Sequence, residues 1–307
     1  MKNIIFLLSG QSRNNSLSDN FNSDERILKS FNDYVFTSEL KKKFNYKVFV
    51  SSDNINVDKF INFFGLPYIG NIHLFDNDYY YCNISSNIKP IKYYLDKYDE
   101  EDWSYYAKHT NGIRQYYKLL DCYNLFRNDK SFNNADYIVR LRLDYVFTEN
   151  ILNIINFLEK NKETDILMQW DFFAIGRPKI MNVYCTALEN KFGTYNFNAD
   201  LSYLNKINIC PDYKTMNERK GRQWRYAAEV QLFESLFEYC NKNNYNINTK
   251  IKKITPGNIY KRYIKKIEKI EKFKNSKKKN KSIISILLLI CLTYLFLIIF
   301  ILKQLNN

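Results

Sequence analysis

A chain of 307 residues with 46% hydrophobic content has room for one large domain or two small ones. Its formal charge of +14 is uneven: residues 250–281 hold 14 Lys and Arg against 2 Asp and Glu, Lys303 adds one, and residues 1–249 keep 31 basic and 30 acidic side chains. A near-neutral body argues against nucleic-acid binding, while two histidines (His73, His109) and six cysteines without a Cys-x-x-Cys pair argue against a zinc module and fit reduced thiols in the cytosol.

Met1-Lys2-Asn3 precedes an apolar run of only Ile4 to Leu8, shorter than the roughly 7–15 residues of a signal peptide. That run reads as a first buried strand, ending in Ser9-Gly10-Gln11-Ser12-Arg13. A helical stretch follows over 24–44. Tyr46–Val50 is the second strand, ending in Ser51-Ser52-Asp53, and Asn71–Phe75 is a third, ending in Asp76-Asn77-Asp78. A long helix covers 111–127. Tyr137–Asp144 is a strong strand signal, 150–160 is helical, Asp165–Trp170 is a strand ending at Asp171, and 224–242 is a helix.

Strands alternating with helices, with only 8 Gly and 5 Pro and no internal repeat, predict an α/β fold: a mainly parallel sheet flanked by helices. No linker composition appears before residue 250. The predicted organisation is therefore a folded domain over 1–249, a basic juxtamembrane segment over 250–281, a transmembrane helix over 282–302 and a short tail over 303–307.

From Ser282 to Leu302 the chain carries no charge, which matches the ~20 apolar residues that cross a bilayer. Lys272, Lys274, Lys277, Lys278, Lys279 and Lys281 crowd one side of this span, and Lys303 alone lies beyond it. By the positive-inside rule the large domain is expected in the cytosol, held by a tail anchor inserted after synthesis. The lysines also suit anionic lipid headgroups.

In open α/β sheets ligands bind beyond the carboxyl ends of the strands. Here those ends carry Ser9 to Arg13, Ser51 to Asp53, Asp76 to Asp78, Asp144 and Asp171. Arg140, Arg142 and Asp144 alternate, so a continuous strand would put all three on one face. Two readings stand for this trio: a structural ion-pair ladder, or an anion site in which the arginines fork onto phosphate oxygens and Asp144 holds a divalent metal or a sugar hydroxyl.

Tyr137-Ile-Val-Arg-Leu-Arg-Leu-Asp144 resembles the R-x-R-x-D strand of glycosyltransferases of the WavE lipopolysaccharide-synthesis type, relatives of the GT-A class. Four further segments are similar in order and spacing. Leu7 to Arg13 resembles the first strand and nucleotide loop. Arg114 to Leu119 resembles the helix before the R-x-R-x-D strand. Asp171 to Gly176 resembles a strand end that closes around the sugar. Ala228 to Leu232 resembles a late helix bearing a functional acid. Together they cover roughly residues 1–245.

The resemblance implies a GT-A-like domain that transfers a sugar from a nucleotide-sugar donor to a glycan, lipid or protein acceptor. The donor would be held by Ser9, Gly10, Gln11, Arg13, Asp53, Gln115, Lys118, Arg140 and Arg142. Asp144, Asp171 and Glu229 are the candidate catalytic acids, with Asp144 also the candidate ligand of a Mn²⁺ or Mg²⁺ cofactor. The chain departs from the usual Asp-x-Asp metal motif, having Arg142 where the first acid would stand. A basic cluster, Arg219 to Arg225, reads either as a loop over the donor phosphates or as an exposed loop. The competing expectation is a non-catalytic, membrane-tethered α/β binding module.

Overall fold

The computed structural model describes residues 1–11, 25–53, 55–75, 103–130, 134–187, 228–259 and 267–269. The chain divides into two compact units, Met1–Tyr260 and Lys261–Asn307. In the second unit only the helical residues 267–269 are described.

The first unit begins with β1 (Lys2–Gln11), α1 (Glu25–Tyr34), α2 (Ser38–Lys43), β2 (Phe44–Asp53), α3 (Val57–Phe64) and β3 (Ile69–Leu74). It continues through α4 (Trp103–Asn128), β4 (Tyr137–Leu141), β5 (Tyr145–Phe147), α5 (Ile151–Lys160), β6 (Ile166–Gln169), β7 (Phe173–Gly176) and α6 (Pro178–Cys185). It closes with α7 (Ala228–Lys242), α8 (Ile247–Lys250), β8 (Ile251–Lys253) and β9 (Gly257–Ile259).

A seven-stranded sheet has the order β3-β2-β1-β4-β7-β6-β8, and β5 and β9 form a separate two-stranded sheet. Only β7 runs against the others, pairing antiparallel with both β4 and β6. The expected mainly parallel sheet with flanking helices is therefore what forms. β1 and β2 read as continuous apolar runs because they are central strands covered on both sides. On one side Ile5, Leu7, Phe49, Ile138 and Ala174 pack with residues of α4, α6 and α7. On the other lies an aromatic cluster, with Phe6 against Phe36 (centroids 4.7 Å), Phe31 against Phe147 (5.8 Å) and Phe147 against Phe173 (5.7 Å).

Burial in that second cluster pushes the Tyr46 hydroxyl up to about 12, with the neighbouring Tyr68 adding to the effect. The folded value thus lies above the unfolded value of about 10. Stability from this group is complete below pH ~10 and drains as the pH rises towards ~12. Tyr46→Phe should flatten part of that decline, which urea midpoints measured from about pH 9 to about pH 12 would reveal.

The long helix starts at Trp103, eight residues before the predicted 111, and three other boundaries differ from the sequence expectation. The stretch 24–44 is two helices, because Thr37 takes an extended conformation and its Oγ1 accepts the Leu40 amide to start α2. The strand from Tyr137 stops at Leu141, and Arg142 to Asp144 turn towards β5, with the Tyr145 amide donating to the Arg142 carbonyl at 3.3 Å. The predicted domain end at 249 falls short: β8 pairs with β6, and β9 pairs with β5, so the folded unit runs to Tyr260. The predicted helix over 224–242 forms from Ala228 to Lys242 as far as it is described, its first four predicted residues lying outside the described set.

Among the described residues no helix is long and apolar enough to cross a membrane. The predicted span 282–302 lies outside those residues, as does most of the basic segment from 260 onward.

Candidate functional site

Arg142 is the hub of a polar cluster at the carboxyl end of β4. Its Nε and Nη2 donate to the two carboxylate oxygens of Asp144, each at 2.8 Å. This parallel fork is the strongest geometry available to the pair. Its Nη1 donates to Gln115 Oε1 at 3.1 Å and lies 3.6 Å from Asp171 Oδ2. Gln115 Nε2 in turn donates to Asp171 Oδ2 at 2.5 Å. The guanidinium lies 5.5 Å from the Phe172 ring centroid, a cation–π contact. Asp144 and Asp171 keep 17% and 8% side-chain exposure, so the cluster is closed but borders solvent.

Three segments supply these groups. Arg142 and Asp144 sit in the turn after β4, Gln115 on α4, and Asp171 and Phe172 in the tight turn between β6 and β7. Because β4 and β6 run in the same direction, their ends bring these turns to one edge of the sheet.

Arg140 belongs to a different environment from its two predicted companions. It is 1% exposed, and its Nη1 donates to the Phe172 carbonyl at 2.7 Å. Its charge acts on the buried Tyr184 hydroxyl and Cys185 thiol, lowering both against the larger upward push of burial. The expectation of three side chains on one strand face is corrected here. The strand ends before Arg142, leaving Arg140 in the core as a brace for the β6–β7 turn. Its Nε and the Oγ of buried Ser9 have no hydrogen-bond partner among the described residues.

The remaining predicted residues fall as follows. Gly10, the penultimate residue of β1, has φ +116°, a backbone conformation that favours glycine, and a Cβ there would stand 3.9 Å from Arg142 Cγ. Its carbonyl accepts from Ser52 Oγ at 2.6 Å. Gln11 pairs in register with Asp53 across β1 and β2. Asp53 forms an ion pair with Lys118 at 3.0 Å; Lys118 is 1% exposed and lies 4.9 Å from the Phe75 ring centroid. Lys118 is therefore neither a solvated surface lysine nor an open phosphate ligand, but the buried half of a pair. Glu229 lies on α7 with its side chain outside the description. Arg13 and Arg219 to Arg225 lie outside the described residues.

The structure also contains a triad that sequence reading missed. Asp121 on α4 takes hydrogen bonds at 2.5 Å from Ser51 Oγ and from the His73 ring at its Nδ1. The acid stands between the other two, so the serine is not held by the histidine as a nucleophile would be. The group ties α4 to β2 and β3. Nothing in its scattered spacing signals it.

A cavity of about 700 Å³ opens at the other end of the strands, lined by Asn3, Tyr123, Phe126, Arg127, Asp136 and Pro178. Asn3 and Asp136 sit at the amino ends of β1 and β4, so this cavity is separated from the Arg142 cluster by the length of the strands. The described residues hold no group of three His, Cys, Asp or Glu side chains that could grip a metal ion.

A scan against protein-family models and a search of curated proteins found no match to this chain.

Proposed function

We propose that the chain is a nucleotide-sugar-dependent glycosyltransferase of GT-A type, held at a membrane by residues 282–302. One observation carries the reading: Gln115, Arg142, Asp144 and Asp171 join in one network of ion pairs and hydrogen bonds around the carboxyl end of β4, and Asp53, at the carboxyl end of β2, pairs separately with Lys118. Ligands bind at that edge in open α/β sheets. The R-x-R-x-D segment and its four companion motifs supply the family.

The transfer breaks the bond between the anomeric carbon and the β-phosphate oxygen, and the diphosphate leaves with the electron pair. The acceptor hydroxyl oxygen forms the new bond and gives its proton to a carboxylate. Arg142 is the group suited to the leaving charge, because its fork fits phosphate as well as it fits Asp144. A donor diphosphate competes with Asp144 for that fork. Asp171, already oriented by Gln115, and Glu229 are the candidate bases. A Mn²⁺ or Mg²⁺ ion entering with the donor would take Asp144 as its protein ligand and draw the rest from phosphate and water. Bound there, it would add to the neutralisation of the leaving group.

The test is release of nucleoside diphosphate by the full-length protein in detergent, across a panel of nucleotide sugars with and without Mn²⁺. The expected result is turnover of at least one donor, reduced about 10²-fold or more in Asp144→Ala. Unchanged turnover in that variant would remove the assignment. A second reading, a non-catalytic tethered binding module, is favoured by the fact that Nε, Nη1 and Nη2 of Arg142 all have protein acceptors. That reading expects donor binding without product.

The tether makes a separate prediction. The full chain should stay in the membrane pellet after alkaline carbonate extraction, and deletion of 282–302 should move it to the supernatant. Protease added to intact vesicles with the cytosolic face outward should digest the body. Protection of the body would reverse the proposed orientation.

A further inference from the structure

The tight turn between β6 and β7 contains a residue in the wrong conformation for its type. Trp170 has φ +51°, one of two non-glycine residues with positive φ among the described residues. The other, Asn244, follows the end of α7, where asparagine tolerates this region. Tryptophan does not. The Phe172 amide donates to the Gln169 carbonyl at 2.9 Å, so Trp170 holds the first central position of a turn. Turns that need positive φ at that position take glycine, asparagine or aspartate.

Among the described residues the indole gains no partner in return. Trp170 is only partly buried. Among the described residues no ring stacks on it and its indole makes no hydrogen bond; the backbone carbonyl accepts from the Tyr184 hydroxyl at 3.2 Å. Any residue would supply that carbonyl. The next two residues are committed to the cluster: Asp171 to Gln115 and Arg142, Phe172 to the face of Arg142. Strained residues of this kind cluster at active sites and ligand clamps.

We propose that Trp170 is a stacking platform for a pyranose ring, its flat apolar surface meeting the C–H face of the sugar while Asp171 meets a hydroxyl. This rests on the glycosyltransferase reading and assigns that site its sugar-contacting residue. The sugar is either that of the donor or that of the acceptor, and the test separates them.

Trp170→Gly and Trp170→Phe are compared with the unaltered full-length protein in detergent. Relief of the positive φ should raise the Tm of Trp170→Gly by about 2–4 °C. Binding of UDP, GDP and the other free nucleoside diphosphates should stay within about twofold of the unaltered protein. Affinity for the matching nucleotide sugar should fall at least tenfold in Trp170→Gly if the ring is the donor's, with Trp170→Phe intermediate. If the ring is the acceptor's, donor affinity holds and KM for the acceptor sugar rises by the same factor. A lower Tm in Trp170→Gly, or unchanged KM for both sugars, overturns the platform. An unaltered protein that binds neither diphosphates nor nucleotide sugars overturns the parent reading as well.

Discussion

Arg142→Met should remove donor turnover and about 3 kcal/mol of stability together. The stability loss follows from leaving Asp144 and Asp171 without the cation between them, since breaking a largely buried pair by deleting one partner costs about 3–5 kcal/mol. The partial exposure of Asp144 places the expected value at the low end. Loss of a positioned cation at the leaving diphosphate accounts for a fall in turnover of about 10²–10³-fold. Arg142→Lys separates the two effects. It restores a positive charge between the acids but not the fork, so stability should largely recover while turnover should not. Urea unfolding and diphosphate release, measured on both variants, check this. Recovery of turnover in the lysine variant would mean that only charge is needed and that the bidentate geometry is irrelevant.

Gly257→Ala should be the most damaging small substitution in the body. A Cβ at that position would stand 2.0 Å from the Val146 carbonyl oxygen, 2.6 Å from the Tyr145 ring and 2.9 Å from the Phe147 Cα. Two of those contacts are backbone and cannot step aside. Strand β9 would have to leave β5, with which Gly257 pairs at Phe147. Overpacking of this kind costs about 1–3 kcal/mol and occasionally more; the expectation here is about 3 kcal/mol. The damage should also reach the site. β5 directly follows Asp144, and the Tyr145 hydroxyl donates to the Gln169 side chain at the start of the β6–β7 turn. Thermal unfolding and donor binding should therefore fall together in this variant. Binding that survives a large drop in Tm would show that the small sheet is mechanically separate from the cluster.

The central strands were readable because short apolar runs, Ile4–Leu8 in β1, Val48–Val50 in β2 and Ile138–Val139 in β4, are each followed by polar residues, and those polar ends lie at one edge of the sheet. β7 was not readable. It follows β6 after only Trp170, Asp171 and Phe172, and the residue that makes the turn is a tryptophan where the usual signal is glycine or asparagine. β8 and β9 are three residues each and lie at the start of a lysine-rich stretch, so charge concealed their place in the fold. The helix caps at Asn56, Asn150 and Asn246 were equally hidden, because in so asparagine-rich a chain no single asparagine stands out.

At the site, period-two alternation correctly singled out Arg142 and Asp144 as neighbours but for the wrong local reason. They meet by turning, not by lining a strand. Alternation also drew in Arg140, which the core absorbs. Lys118 and Asp53 were both named, but nothing in sequence indicates that residues so far apart along the chain would pair. Long-range pairs of this sort, like Ser51, Asp121 and His73, exist only once the sheet and α4 have been brought together.

The claim on which the function depends is that the Arg142 fork exchanges Asp144 for a diphosphate. Isothermal titration of the full-length protein with a panel of free nucleoside diphosphates, repeated on Arg142→Lys, addresses it most directly. The account predicts saturable binding of at least one diphosphate by the unaltered protein, weakened at least tenfold in the lysine variant. Heat signals absent across the whole panel, or equal affinity in the two proteins, would contradict it and leave Arg142 and Asp144 as a structural pair.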